Sequence, residues 1–334
     1  RCKRVMGLLS GLYSRFMDAI QYQIVRANGI DFNVAMAGSG ERLALCLHGF
    51  PESSFSWRHQ MPLLARLGYR VWAPDLRGYG RSSRPQGVEA YALRELQEDV
   101  ASLIEAAGAK DVVLIGHDWG ALIAWYYAMF GLPPISKLII MNVPHPALAE
   151  RGLRTWRQLL KSWYIFFFQL PKLPEWALAR NGYEAIGRAF RGMAVDKSRF
   201  PDEVLRVYQD AAAQPGALTA MLNYYRALIR GRSGYRLRGT PRIDTPTLMI
   251  WGEADTALGK ELTYGTGRYV SNLTLRYLPQ VSHWVQQEAP ETVNAMIEAW
   301  LLDQEVPQAP GASPSCQDPG RDAGTKPSTV KGGS

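Results

Sequence analysis

Apolar positions along the chain fall into two rhythms. Short apolar runs with strand character occupy residues 43–47, 69–73, 112–115 and 137–141. Between them lie longer stretches with apolar residues at helical spacing, about 91–107 and 121–130. Buried strands alternating with helices indicate a parallel, doubly wound sheet. Ahead of them, residues 22–27 and 30–37 flank Asn28-Gly29, a dipeptide that accepts the positive φ angles of a tight turn, so this segment reads as a hairpin. Gly38-Ser39-Gly40 turns the chain into the first parallel strand.

The alternation stops near residue 143. As far as about 242 the sequence is helical, aromatic and rich in Arg, broken at Pro171, Pro174, Pro201 and Pro215. Strand character returns at 247–251 and 274–278, and a helix at about 291–302 closes the pattern. The predicted fold class is therefore α/β, with a core over 21–142 and 243–302 interrupted by a helical cap over 143–242. Leu8, Leu12, Phe16 and Ile20 recur every four residues, which predicts an amphipathic segment over 1–20. Packing on the body is favoured for it over a partner or a membrane surface. Residues 303–334 are Pro, Gly, Ser and polar positions without periodicity and read as a disordered tail.

Composition narrows the picture. A chain of 334 residues, 47% of them hydrophobic, can bury a large core. The longest uncharged apolar run, 120–135, is broken by Pro133 and Pro134 and falls short of the ~18 residues a membrane span needs, so no transmembrane segment is expected. The basic start lacks a cleavage site, which argues against a secretory signal. Cys2, Cys46 and Cys316 are odd in number and widely spaced, with Cys46 inside an apolar strand and the others near the ends, so neither a disulfide framework nor a metal site is expected, which suits a reducing cytoplasm. The net charge of +8 is concentrated: residues 151–242 hold 14 Arg and 3 Lys against 6 acids. Those cations interleave with apolar positions as on solvated helix faces, and no recognition motif accompanies them, so nucleic acid is not an expected partner.

The chemistry centres on Gly116-His117-Asp118-Trp119-Gly120, set between a strand and a helix. Flanking glycines permit a sharp turn that lifts the middle side chain above the sheet beside a helix N-terminus. With Asp118 in the middle, the nucleophile is a carboxylate already ionised at neutral pH, suited to displacement at a saturated carbon and formation of an alkyl ester. Hydrolysis of that ester needs a base, and His283 stands after the last predicted strand. Asp255 lies past the preceding strand as its orienting acid, with Glu253 as a weaker rival. The order nucleophile, acid, base is that of this fold's triads. Backbone N–H groups of Phe50, in His48-Gly49-Phe50-Pro51, and of Trp119 are candidates for an oxyanion hole. The loop Asp75 to Gly80 reads as structural.

At these residues the chain resembles the epoxide hydrolases of the α/β-hydrolase fold, over about residues 22–302. Residues 164–169 look like the family's first cap tyrosine motif and 222–226 like its second. The resemblance implies an epoxide hydrolase acting on a small apolar epoxide and water without a cofactor, with Tyr164 and Tyr225 as donors to the ring oxygen and Tyr224 the weaker candidate. Phe50, Trp119, Phe166 and Trp284 suggest an aromatic substrate site. Haloalkane dehalogenases are similar too, sharing an Asp nucleophile followed by Trp. Phe50 lacks the side-chain N–H that many of them use to hold halide, whereas Trp156, Trp163 and Trp176 keep that alternative open. A non-catalytic binding protein on the same scaffold is a third reading. A homodimer is left open.

Overall fold

A computed structural model describes residues 20–131, 133–230 and 241–312. The expected N-terminal segment, Ile20 apart, lies outside the described residues, as do residues 231–240 of the cap and 313–334 of the tail.

The opening hairpin pairs β1 (Gln21–Ala27) with β2 (Ile30–Ala37) in antiparallel register, Ala27 opposite Ile30. Asn28 and Gly29 turn the corner at φ of +46° and +69°. Six further strands follow: β3 (Arg42–Leu47), β4 (Tyr69–Pro74), β5 (Val112–His117), β6 (Lys137–Met141), β7 (Thr247–Gly252) and β8 (Leu273–Leu278). They complete an eight-stranded sheet of order β1-β2-β4-β3-β5-β6-β7-β8, parallel from β4 to β8.

Alternation along the parallel strands shares their side chains between two apolar layers. Leu43, Leu45 and Leu47 of β3 and Leu114 of β5 join one layer, with the helices Leu93–Ala107 and Trp119–Phe130. Ala44, Cys46, Val113 and Ile115 join the other, with the helices Met61–Arg66 and Pro290–Leu301. Burial on both faces is why these strands read as unbroken apolar runs.

Among the described residues between β6 and β7, the helices run from Pro146–Gly152 to Ala217–Ile229 with no strand between them. Leu173–Met193 is interrupted at 180–183, where Asn181, Gly182 and Tyr183 take positive φ. One stretch departs from expectation. Residues 304–312, read as part of a structureless tail, lie against the body: Val306 and Ala309 are buried, and the Arg276 guanidinium donates to the Val306 carbonyl at 2.9 and 3.1 Å. Two apolar side chains and a carbonyl with a fixed donor hold a segment whose composition alone suggests none.

Candidate active site

Five parallel strands deliver side chains to one edge of the sheet. His48 follows β3, Asp118 follows β5, Asn142 follows β6, Asp255 lies three residues past β7, and His283 five past β8. All stand at carboxyl ends, where open α/β sheets place their ligands.

Asp118 sits at φ +48°, ψ −121°, strained for a residue with a side chain. Neighbouring glycines make room for it. A Cβ on Gly120 would lie 2.0 Å from the Leu47 carbonyl oxygen, and one on Gly49 would lie 2.2 Å from the Asp118 Cβ. The turn therefore presses the carboxylate against the 48–51 loop. There the Phe50 N–H donates to Asp118 Oδ1 at 2.7 Å. Trp119 opens the following helix, so its N–H belongs to the first turn, whose amides have no partner within the helix.

His283 faces Asp118 Oδ2 through Nε2 at 3.4 Å and meets Asp255 Oδ2 through Nδ1 at 2.6 Å. Burial alone would pull the imidazole pKa down, yet the charges of Asp255 and Asp118 and the hydrogen bonds to both raise it to about 10. Burial would likewise raise Asp118, but the His283 hydrogen bond and charge and the Phe50 amide hold its carboxyl below the usual range. The resting arrangement is an imidazolium between two carboxylates.

In front of Asp118 opens a cavity of about 370 Å³. Trp119, Leu122, Tyr126, Leu228 and Leu258 are among its apolar walls, and Tyr164 and Tyr225 line it opposite the sheet. Their rings meet edge to face with centroids 6.0 Å apart. Burial raises both phenol pKa values, and the Asp118 charge raises them further, so both hydroxyls stay protonated.

The alpha/beta hydrolase fold family matches residues 45–290. The protein named AB hydrolase superfamily protein YfhM of Bacillus subtilis is 40% identical over 291 residues, 86% of this chain and 100% of that one. Epoxide hydrolase 4 of Mus musculus is 39% identical over 290 residues, 85% of this chain and 79% of that protein. The chain belongs to the α/β-hydrolase fold family. Within it, the chain groups with the epoxide hydrolases. The crystal structure of the Bacillus megaterium epoxide hydrolase with an inhibitor superposes with a TM-score of 0.77 at 31% identity, covering 84% of this chain and all of that one.

In this α/β hydrolase several residues sit differently from expectation. Trp284 is not among the cavity-lining residues; it is buried behind His283, its ring 4.3 Å from that of Phe190. The residue after His283 points to the opposite side, a direction that composition does not carry. Phe50 likewise does not line the cavity, and packs on Phe168 and Tyr225. Phe166 does line it, half-exposed at its rim. Tyr224 donates its hydroxyl to the Arg77 carbonyl at 2.8 Å. Glu253 is ion-paired with Lys260. Trp156, Trp163 and Trp176 are each more than half exposed and line no part of the cavity.

Other supporting residues were not anticipated. Asn142, at φ +49°, donates to Asp255 Oδ2 at 2.8 Å and accepts from the Gly252 N–H at 2.9 Å, tying the acid to β6 and β7. Glu52 is fully buried and accepts from the Gly49 N–H, Gln286 and Gln287, and pairs with His117 Nδ1 at 2.7 Å. His117 Nε2 in turn meets the His283 carbonyl at 2.8 Å. The available signal was an ionisable residue placed inside each of two apolar turns, at Glu52 and His117, where burial requires a partner.

Proposed function

We propose that the chain is an epoxide hydrolase that converts an apolar epoxide and water to a vicinal diol through an ester on Asp118. The observation that carries this reading is one carboxylate, Asp118, facing two neutral phenols, the half-buried Tyr164 and the buried Tyr225, across an apolar cavity. A carboxylate opposite paired O–H donors suits a reaction that breaks a carbon–oxygen bond and leaves an alkoxide. The names carried by the mouse relative and the Bacillus megaterium neighbour agree with it. Departing halide is the weaker fit, since Phe50 offers no side-chain N–H and Trp156, Trp163 and Trp176 stand away from the cavity.

In the first step Asp118 Oδ2 attacks a ring carbon, because Oδ1 is engaged by the Phe50 amide. The carbon–oxygen bond breaks, and the alkoxide takes a proton from Tyr164 or Tyr225. Esterification removes the Asp118 charge that helped hold the proton on His283, so the imidazole pKa falls and its proton returns to the phenolate by way of water. Neutral His283, held by Asp255, then takes a proton from a water that adds to the ester carbonyl carbon. The oxyanion forms at Oδ1, at the Phe50 N–H and within the first turn of the Trp119 helix. Collapse expels the diol, its new hydroxyl built on Oδ2 and protonated by the remaining proton of the added water. Asp118 and the imidazolium are restored.

A single turnover in heavy-oxygen water tests the route. Enzyme in excess over epoxide should release diol without the label, its second oxygen drawn from Asp118, and label should appear in Asp118 afterwards. Labelled diol in that first turnover would show direct attack by water and overturn the ester.

A further inference from the structure

The cap between residues 151 and 173 wears its amphipathic pattern inside out. In the helix Trp156–Lys161 and the turn after it, the buried side chains are the polar Gln158 and Ser162, at 3% and 2% exposure. The Gln158 amide nitrogen donates to Ser162 at 3.0 Å and to the Ala257 carbonyl at 2.8 Å, which anchors the buried side of this helix, while Gln158 Oε1 is buried without a hydrogen-bond partner among the described residues. The apolar side chains face outward: Trp156 is 68% exposed, Leu160 65% and Trp163 63%. Leu153, Leu159 and Phe166 extend this surface into the cavity wall. A helix normally buries such a stripe against its own core, and an exposed patch of this kind marks an interaction surface.

We propose that this face of the cap docks on a lipid bilayer with anionic headgroups, setting the mouth of the Asp118 cavity against the membrane. Charge selects that occupant. Arg151, Arg154, Arg157, Lys161 and Lys172 fall between residues 151 and 173 with no acid among them. The flanking acids Glu150 and Glu175 are engaged by Arg154 and Arg226. A second copy packed through the same face would set these cations against their own equivalents. The chain's first 19 residues are an equally poor cover, with four cations and one acid, and Ile20 packs on the opposite apolar layer. Indole rings beside guanidinium groups suit the headgroup level, and Arg157 lies over Trp156 and Arg180 over Trp176, at 5.7 and 4.7 Å from the ring centres. Among the described residues no helix is long and apolar enough to cross a membrane, so the contact is interfacial. The surface stands whatever the cavity turns over, and its test needs no turnover.

The full chain is floated with vesicles of phosphatidylcholine, alone or with about 30 mol% phosphatidylglycerol. Binding to the anionic vesicles at least tenfold tighter than to neutral ones, and weakened when salt rises to about 0.5 M, is expected. A Trp156→Ser/Leu160→Ser/Trp163→Ser variant and, separately, an Arg157→Gln/Lys161→Gln variant should each lose at least tenfold in binding at an unchanged thermal midpoint. The altered side chains are exposed or half-exposed and lie outside the cavity, so neither variant depends on the other to remain folded. Absence of binding to anionic vesicles overturns the proposal, as does binding undiminished in both variants, which assigns it to another segment. A concentration-dependent dimer that the triple variant abolishes, without lipid binding, makes the face a contact between copies and overturns it too.

Discussion

On the sheet side of the cavity, Asp255 accepts from Asn142 and from the amides of Ala257 and Leu258, besides meeting His283. On the cap side, Tyr164 and Tyr225 are set by edge-to-face contacts with each other and with Phe168. Directional hydrogen bonds fix the carboxylate and imidazole atoms in the first case, whereas ring packing does most of the setting in the second, with a side-chain hydrogen bond to Trp119 at Tyr225. The sheet side is built so that charge stays where it is needed. On the proposed reading the cap side brings neutral donors up to the ligand in the cavity, held mainly by ring contacts that have no fixed hydrogen-bond angle.

The sharpest way to break that contrast is to remove the donors and leave the rings. Replacing Tyr164 and Tyr225 together with Phe should slow ring opening by roughly 100- to 10,000-fold, the range of general acid catalysis, while the unfolding midpoint hardly moves. Stopped-flow alkylation kinetics beside thermal unfolding would check it, and an unchanged alkylation rate would leave the two residues as packing alone.

On the sheet side the same kind of change should act first on stability. Glu52→Ala strips partners from His117, Gln286, Gln287 and the Gly49 amide at once, and should cost about 3–5 kcal/mol, as breaking a buried pair does. Denaturant titration measures it. A loss within about 0.5 kcal/mol would mean that water replaces the carboxylate.

The smallest expected effect is a pH dependence. His283 has a pKa raised from 6.5 to about 10 in the folded chain, so its protonation stabilises the fold fully below about pH 6.5. That contribution is lost as pH rises towards 10. In a His283→Gln variant the decline across that window should flatten. Equal slopes in both proteins would show that other groups dominate.

The two sides also differed in how much the sequence disclosed. Backbone requirements leave traces in residue type: Asn28-Gly29 at positive φ, the apolar runs of β3 and β5, and the glycines around Asp118 each answer a local steric demand. Chain order then put Asp255 and His283 near Asp118, and the structure brings these side chains within 3.4 Å of one another in sequence, Asp118 to His283 and His283 to Asp255. Asn142 was not legible, because it acts on a residue 113 positions away and nothing local to it says so, and the charge of Glu52 inside an apolar turn signals a need for a partner without naming His117, 65 positions on. Trp284 misled because adjacency to His283 says nothing of which way a ring points. Within the cap, an apolar stripe normally marks the buried face, and the outward setting of Trp156, Leu160 and Trp163 reverses that rule. Residues 304–312 misled for a related reason, since two apolar side chains and one carbonyl give too weak a pattern to read.

The vacancy at Gly49 acts as a gauge for redesign. A methyl group there would lie 2.5 Å from the Asp118 Oδ1 that the neighbouring Phe50 amide holds, so even alanine would push the carboxylate off its donor. Positions 49 and 120 are thus hard stops in any mutational library, closed by backbone and by the Asp118 side chain rather than by ligand. Leu122, Leu228 and Leu258 border the same cavity from separate elements, and variation there can reshape its walls while the turn that presents Asp118 stays as it is.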